Sequence, residues 1–303
     1  MNFLTLFQIE LIKTTRRTAF WVTNGVFFLL AIIVLLVMTS GNVRVNEEST
    51  TFALPEGWSL MINNFFKVFS TFFLPTVLIL ISASEFTFKT ARQNIIDGLS
   101  KEEFFSAKVL LTFALAFLYF LLYFIPVLLF GYFTKTDSAL VETSMIRLSD
   151  LTLFGAFFTF LLGYGSIALF FSFLIRSSGA ALGVSLLYLL GVEGVFRWIL
   201  ALKDSLRPAT NYFPTAIFED LLKPLRYDTE KAEKLTQQIA TAREQLEQMK
   251  EAAPDQAKMM ELSINNASQS LPNTSTTEAF LLAWGIIVLI FFVTYMIYKK
   301  RDL

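Results

Sequence analysis

The residue types and spacings with the clearest chemical meaning in this chain lie between Glu85 and Lys108. Phe88, Ala91 and Ile95 fall at helical spacing, and Gly98 stands where a residue in the left-handed conformation would stop that helix. Ser100 and Glu103 have the S-x-x-E spacing of a capping box, in which each side chain satisfies an orphan backbone N–H. Leu99 and Phe104 take the flanking positions of a hydrophobic staple. The pattern predicts helix, sharp stop, helix. Its chemistry is mechanical: a short helix along a membrane surface, firmly joined to the next one, is a rigid handle for a cytoplasmic partner. Covalent chemistry is poorly provided for. Cys and His are absent, which removes disulfides, thiolate nucleophiles, imidazole bases and the usual zinc sites. No Gly is followed by Lys, so the G-x-x-x-x-G-K-[ST] phosphate loop is missing as well.

Composition says what must hold these residues in place. Of 303 residues, 54% are hydrophobic and 17% charged, against roughly 25% charged in an ordinary soluble domain. The 34 Phe residues and the mean hydropathy of +0.57 agree. Uncharged runs cover 18–43, 68–84, 109–134, 151–175, 177–192 and 279–298. A membrane helix needs about 20 residues, so these predict six spans. The second begins before Lys67, and the fifth continues past Glu193 and Arg197 toward Leu202. The first run exceeds the ~7 to 15 residues of a signal-peptide core and is expected to be retained. Lys+Arg and Asp+Glu number 25 each, so the chain lacks the basic excess that would draw nucleic acid. The confident runs carry no interior charge, which argues against a carrier driven by protons or sodium.

Positive residues in short loops set orientation. With the N-terminus inside, the inner segments hold Lys13, Arg16, Arg17, Lys89, Arg92, Lys101, Lys108, Arg176, Lys299, Lys300 and Arg301, whereas the short outer loops hold Arg44, Lys67, Lys135 and Arg147. Eleven against four places both termini in the cytoplasm and the long segment before the last span outside. The expected architecture is an all-α integral membrane protein. Residues 1–17 form an interfacial amphipathic helix, with Phe3, Leu4, Phe7, Leu11 and Ile12 on its apolar side. Residues 18–202 hold spans one to five with the inner loop 85–108, residues 203–278 an extracytoplasmic helical insert, and residues 279–303 span six with a cytoplasmic tail.

Small residues recur in spans four and five: Gly155, Thr159 and Gly163, then Gly179, Gly183 and Gly191. They permit close helix packing, within the bundle or between two copies. Glu193 and Arg197 are four apart and predict either a mutual pair at the interface or a polar gate. In the insert, prolines 208, 214 and 224 bracket a short amphipathic helix over 216–222. Ala232, Leu235, Ile239, Ala242, Leu246, Met249 and Ala253 form a heptad seam, broken by Pro254 and resumed by Ala257, Met260, Ile264 and Ala267. An antiparallel coiled-coil hairpin follows. It is either self-contained or binds an envelope protein through Leu235, Ile239 and Leu246. Residues 267–277 predict a flexible return linker, and Asn266 and Asn273 begin weak glycosylation sequons.

The pattern of an N-terminal interfacial helix, six spans and a second-to-third-span loop with Glu85 near its start, a helix bearing Thr90 and Arg92, a small-residue turn at Gly98 and Ser100, and Lys108 entering the third span resembles the permease subunits of ABC-2 type ABC transporters. The resemblance covers residues 1–200 and 275–303. It implies that loop 85–108 is a coupling loop docking into a separate ABC ATPase, which alone holds ATP and Mg, with no cofactor, metal or catalytic residue in this chain. It also implies a second permease copy or paralogue, residence in the bacterial inner membrane, and export, as in multidrug or peptide exporters. Other members of that family are associated with gliding motility, so a membrane anchor of an ATP-driven envelope machine is the alternative.

Overall fold

A computed structural model describes residues 3–39, 43–45, 48–50, 54, 56–135, 146–203, 205–227, 229–249 and 254–301. Helix α1 (Phe3–Thr15) is followed, after a break at Arg16 and Arg17, by α2 (Thr18–Thr39). A short antiparallel pair, β1 (Val43–Val45) and β2 (Glu48–Thr50), interrupts the helical plan, with Arg44 opposite Ser49. Then α3 (Glu56–Met61) runs through a π turn, Ile62–Phe66, into α4 (Lys67–Thr87). Next come α5 (Thr90–Ile96), α6 (Lys101–Lys135), α7 (Leu148–Ile175) and α8 (Ser178–Leu187), which passes through a second π turn, Tyr188–Val192, into α9 (Glu193–Ala201). The insert holds α10 (Pro214–Asp220), α11 (Thr229–Met249) and α12 (Pro254–Ser270), and α13 (Thr276–Lys300) closes the chain.

Among the described residues six stretches are long and apolar enough to cross a membrane: Thr18–Met38, Gly57–Thr87, Lys101–Phe133, Leu148–Ile175, Ser178–Ala201 and Thr276–Lys300. The chain thus has the build of a multi-pass membrane protein. The two short runs lengthen as expected, the second across Lys67 and the fifth past Arg197. Helix α7 is the axis, packed against α4, α6 and α13. Aromatic rings fill the space around it: Trp58, Tyr123 and Phe157 are fully buried and meet in edge-on contacts at 5.0 and 5.8 Å through Tyr123. Rings suit this role because lipid already solvates apolar surface, leaving shape-matched packing to hold helices together.

Several expectations change. In α1 the buried stripe is Leu6, Glu10 and Thr14, one turn apart, while Leu11 and Ile12 stay exposed. The expected apolar side carrying Leu11 and Ile12 faces away from the bundle, and what the sequence pattern does not predict is the stripe that docks, because the Glu10 carboxylate has a partner within the bundle. Helix α10 covers the predicted helix as far as Asp220 and packs on α7 and α13, with Ala216, Ile217 and Phe218, and Leu221 and Leu222 just beyond it, buried. Phe218 explains Gly163, where an added Cβ would lie 2.7 Å from its ring. Gly155 makes an ordinary contact, 3.8 Å to Phe280. Around Gly179, Gly183 and Gly191 nothing comes within 4 Å of an added Cβ, so they do not pack the bundle. Glu193 and Arg197 do not pair. Glu193 accepts from the Tyr188 hydroxyl at 2.6 Å and from the Thr215 N–H and hydroxyl at 3.0 and 2.6 Å, while Arg197 reaches Glu219 at 4.0 Å.

Helices α11 and α12 form the expected hairpin around Ile239, Leu246, Ala257 and Ile264, with Leu235, Ala242, Met260 and Ala267 packed beside them. Leu235, Ile239 and Leu246 are therefore covered by α12 and do not present a binding face. The return segment is shorter than the 267–277 linker, because α12 runs to Ser270. Ala253, the last residue of the first seam, lies outside the described residues.

Candidate functional site

The elements that meet at the end of the bundle carrying α1 and α13's last turn converge on one buried ammonium. Lys108, in the second turn of α6, is fully buried, with its Nζ 2.5 Å from Glu10 Oε2 and 2.7 Å from Glu85 Oε1. Glu10 and Glu85 are themselves buried, on α1 and the last turn of α4. Lys13, one turn beyond Glu10, adds a second cation at 3.3 Å from Glu10 and 3.9 Å from Glu85. Removing such groups from water costs several kcal/mol per ion, so they are tolerated only as a mutually satisfied set. Burial alone would raise the Glu10 carboxyl, but the Lys108 and Lys13 ammoniums outweigh it and hold Glu10 below its ordinary value of 4.5.

The joint is braced on both sides. Arg17, at the α1–α2 break, donates to the Leu80 and Ile81 carbonyls at 3.1 and 3.3 Å and to the Ser84 hydroxyl. The Thr90 hydroxyl donates to the Glu85 carbonyl at 3.2 Å, and Asn94 Nδ2 to Glu85 Oε2 at 3.5 Å, so the carboxylate also orients α5. Three helices and the short α5 are thereby referred to one point.

Helix α5 is bounded at both ends by left-handed residues, Lys89 (φ 59) before it and Gly98 (φ 105) after it. The Leu99 N–H reaches back to the Asn94 carbonyl at 3.1 Å and the Gly98 N–H to Ile95 at 3.1 Å, the paired bonds of a Schellman stop. The capping box follows as the spacing predicts. Ser100 N–H donates to Glu103 Oε2 at 2.9 Å, Glu103 N–H donates to Ser100 Oγ at 3.1 Å, and Phe104 is buried as the staple requires. From this cap α6 runs uninterrupted through the third span.

The predicted stripe on the first helix does not form as one face. Ala91 is buried, but Phe88 is 75% exposed, because α4 has ended at Thr87 and left-handed Lys89 turns the chain between them. Phe88, Arg92 and Ile96, the last 67% exposed, are therefore left on the outside of α5. Of the residues singled out in this loop, Glu85, Thr90 and Lys108 enter the joint, Gly98, Ser100 and Glu103 shape the turn, and Arg92 lies on the outer surface. Sequence reasoning missed Glu10, Lys13, Arg17 and Asn94. A signal existed: Glu10 is the lone acid of the N-terminal helix, and Lys108 borders a long apolar run.

The arrangement pairs no nucleophile with a base. What it does is hold an exposed, apolar-and-basic short helix in fixed relation to spans two and three. No protein-family model matches this chain, and no curated protein is significantly similar to it.

Proposed function

We propose that this chain is the membrane-spanning permease subunit of an ABC-2 type transporter, moving a substrate, by export, with ATP hydrolysed on a separate subunit. The observation that carries the proposal is α5: a short helix with Arg92 and Ile96 facing outward beside exposed Phe88, stopped by Gly98 and geared through Glu85 and Lys108 to α1 and the third span. A partner pushing on α5 would displace these elements together, because a buried ion set breaks only at large cost. In this proposal the end of the bundle carrying both termini is cytoplasmic, the hairpin α11–α12 is extracytoplasmic, and two copies or two related chains pair in the bacterial inner membrane.

The test is coupling. The chain purified alone should not bind ATP, and with its ATPase it should show substrate-stimulated hydrolysis. Gly98→Val forces a β-branched side chain into a positive-φ position and should leave insertion intact while uncoupling hydrolysis or weakening ATPase association. Wild-type coupling and assembly in that variant would reduce the loop to a connector. For the sidedness, a cysteine at Lys300 should resist an impermeant thiol reagent in intact cells while one at Glu233 reacts. The reverse pattern would overturn the topology. Coupled hydrolysis with no solute moved across a range of substrate classes would identify the anchor of an envelope machine instead.

A further inference from the structure

Two bends of this chain share an unusual backbone. Among the described residues, Lys89 (φ 59) and Arg176 (φ 58) are the two residues other than Gly with positive φ. In that conformation Cβ crowds the following carbonyl oxygen, a strain that Gly escapes. One bend follows α4 and the other follows α7, yet both side chains line the same cavity of about 230 Å³, together with Phe86, Ala91 and Arg92. Both are helix-end residues in a conformation more often taken by Gly, and such strain also gathers at ligand sites.

The lining holds three cations and no acid. The nearby carboxylate of Glu85 is taken up by Lys108 and Lys13. The walls are fixed: the Arg176 guanidinium lies over the Phe86 ring at 5.4 Å, and that ring meets Phe173 edge-on at 5.1 Å. The Ser178 N–H donates to Thr87 Oγ1 at 3.0 Å, tying the two bends together. Arg301 donates to the Leu174 carbonyl at 2.6 Å, bringing a further cation beside the Arg176 bend.

The cavity's depth identifies its occupant. It lies where the second and fourth apolar stretches end and the fifth begins, at Thr87, Ile175 and Ser178, so in a membrane crossed by these helices it would sit near the headgroups. Basic pockets between membrane helices at that level recognise anionic headgroups. Phe86 lines the cavity, while the exposed Lys89 and Arg92 stand on its open side. We infer that Lys89, Arg92 and Arg176 form a binding site for the phosphate of an anionic phospholipid. This needs only that the helices cross a membrane, and it stands or falls separately from the permease proposal.

The test uses the full chain in neutral detergent, titrated with dioctanoyl phosphatidylglycerol, dioctanoyl phosphatidylcholine and inorganic phosphate, with native mass spectrometry and thermal midpoint as readouts. Phosphatidylglycerol should bind at least about tenfold more tightly than phosphatidylcholine, and the K89Q/R92Q/R176Q variant should lose that preference. In K89G/R176G the strain is relieved along with the charge, so the lipid-free midpoint should rise by about 2 °C while the preference falls. A purely structural role would not move the two in opposite directions. An undiminished preference in K89Q/R92Q/R176Q would overturn the site. Displacement of phosphatidylglycerol by equimolar inorganic phosphate would overturn the lipid assignment in favour of a free phosphate. Loss of a copurifying ATPase with lipid binding intact would overturn it in favour of a partner's acidic side chain.

Discussion

The two ends of the bundle solve the same problem, a carboxylate out of water, in opposite ways. At one end Glu10 and Glu85 share Lys108, and every member sits on a helix. At the other, Asp220 takes Arg226 and, at 3.0 Å, Lys223, and accepts from the Asn273 N–H at 3.0 Å. Lys223 and Arg226 also donate to the carbonyls of Leu271 and Thr274, at 2.7 and 2.8 Å. This second set grips backbone, pinning the return from α12 to α13. The Lys108 set grips side chains of three separate helices. A latch on backbone fixes where a segment runs, whereas a side-chain knot makes helices move as one.

The largest expected effect breaks the knot. Lys108→Met leaves two buried carboxylates without their shared cation and should cost about 3–5 kcal/mol, read as a lower thermal midpoint and poorer yield of inserted protein. Adding Glu10→Gln and Glu85→Gln should recover most of that loss, since neutral groups need no counter-charge. If Lys108→Met alone is as stable as wild type, the distinction between the two ends fails. A pH series sharpens the point. Because Glu10 is held below 4.5 in the folded chain, its stabilisation is fully present above that value and disappears as pH falls through the lowered one. This acid limb should be missing from Glu10→Gln.

Asp220→Asn should cost less, roughly 2 kcal/mol, because Lys223 and Arg226 keep their carbonyl partners. Its signature is local: faster proteolysis near residues 271–275 with the opposite end unchanged. A fall in thermal midpoint as large as that of Lys108→Met would show the two ends to be one device. Smaller again, Ser100→Ala removes one half of the capping box and should lower stability by about 1 kcal/mol without affecting insertion. The least effect is expected of Gly179→Ala and Gly183→Ala, within about 0.5 kcal/mol for the single chain. If either instead disrupts a dimer seen by crosslinking, the open G-x-x-x-G is a contact between copies.

What was legible in the sequence is what a local pattern encodes. Six apolar stretches announce spans, S-x-x-E announces the cap at Ser100, and Gly98 announces a left-handed stop because Gly adopts it at little cost. The heptad steps of 232–253 announce a hairpin helix, although not that α12 would use up its seam. The knot has no local pattern. Glu10 and Lys108 lie 98 positions apart, and only tertiary packing brings them together. For the same reason the apolar side of α1 gave no sign of the Leu6, Glu10 and Thr14 stripe that docks on the bundle. Lys89 and Arg176 were opaque for a different reason: residue type reveals a left-handed bend only where Gly or Asn occupies it. Phe218 in the core was hidden by its setting among prolines and polar residues that signal a surface segment.

The docking of α1 through Glu10 also sets a schedule for biogenesis. Its acidic residue is made 98 positions before the lysine that neutralises it, which at ~5–20 residues per second is an interval of several seconds or more. Throughout that interval Glu10 has only Lys13 of its own helix as a counter-charge, and Arg17 can reach α4 once Ser84 is made. The buried arrangement is completed only when Lys108 arrives, so α1 finishes docking after α6 has begun. A ribosome-stalled intermediate ending before residue 108 should accordingly carry a loose N-terminus on an otherwise inserted first span.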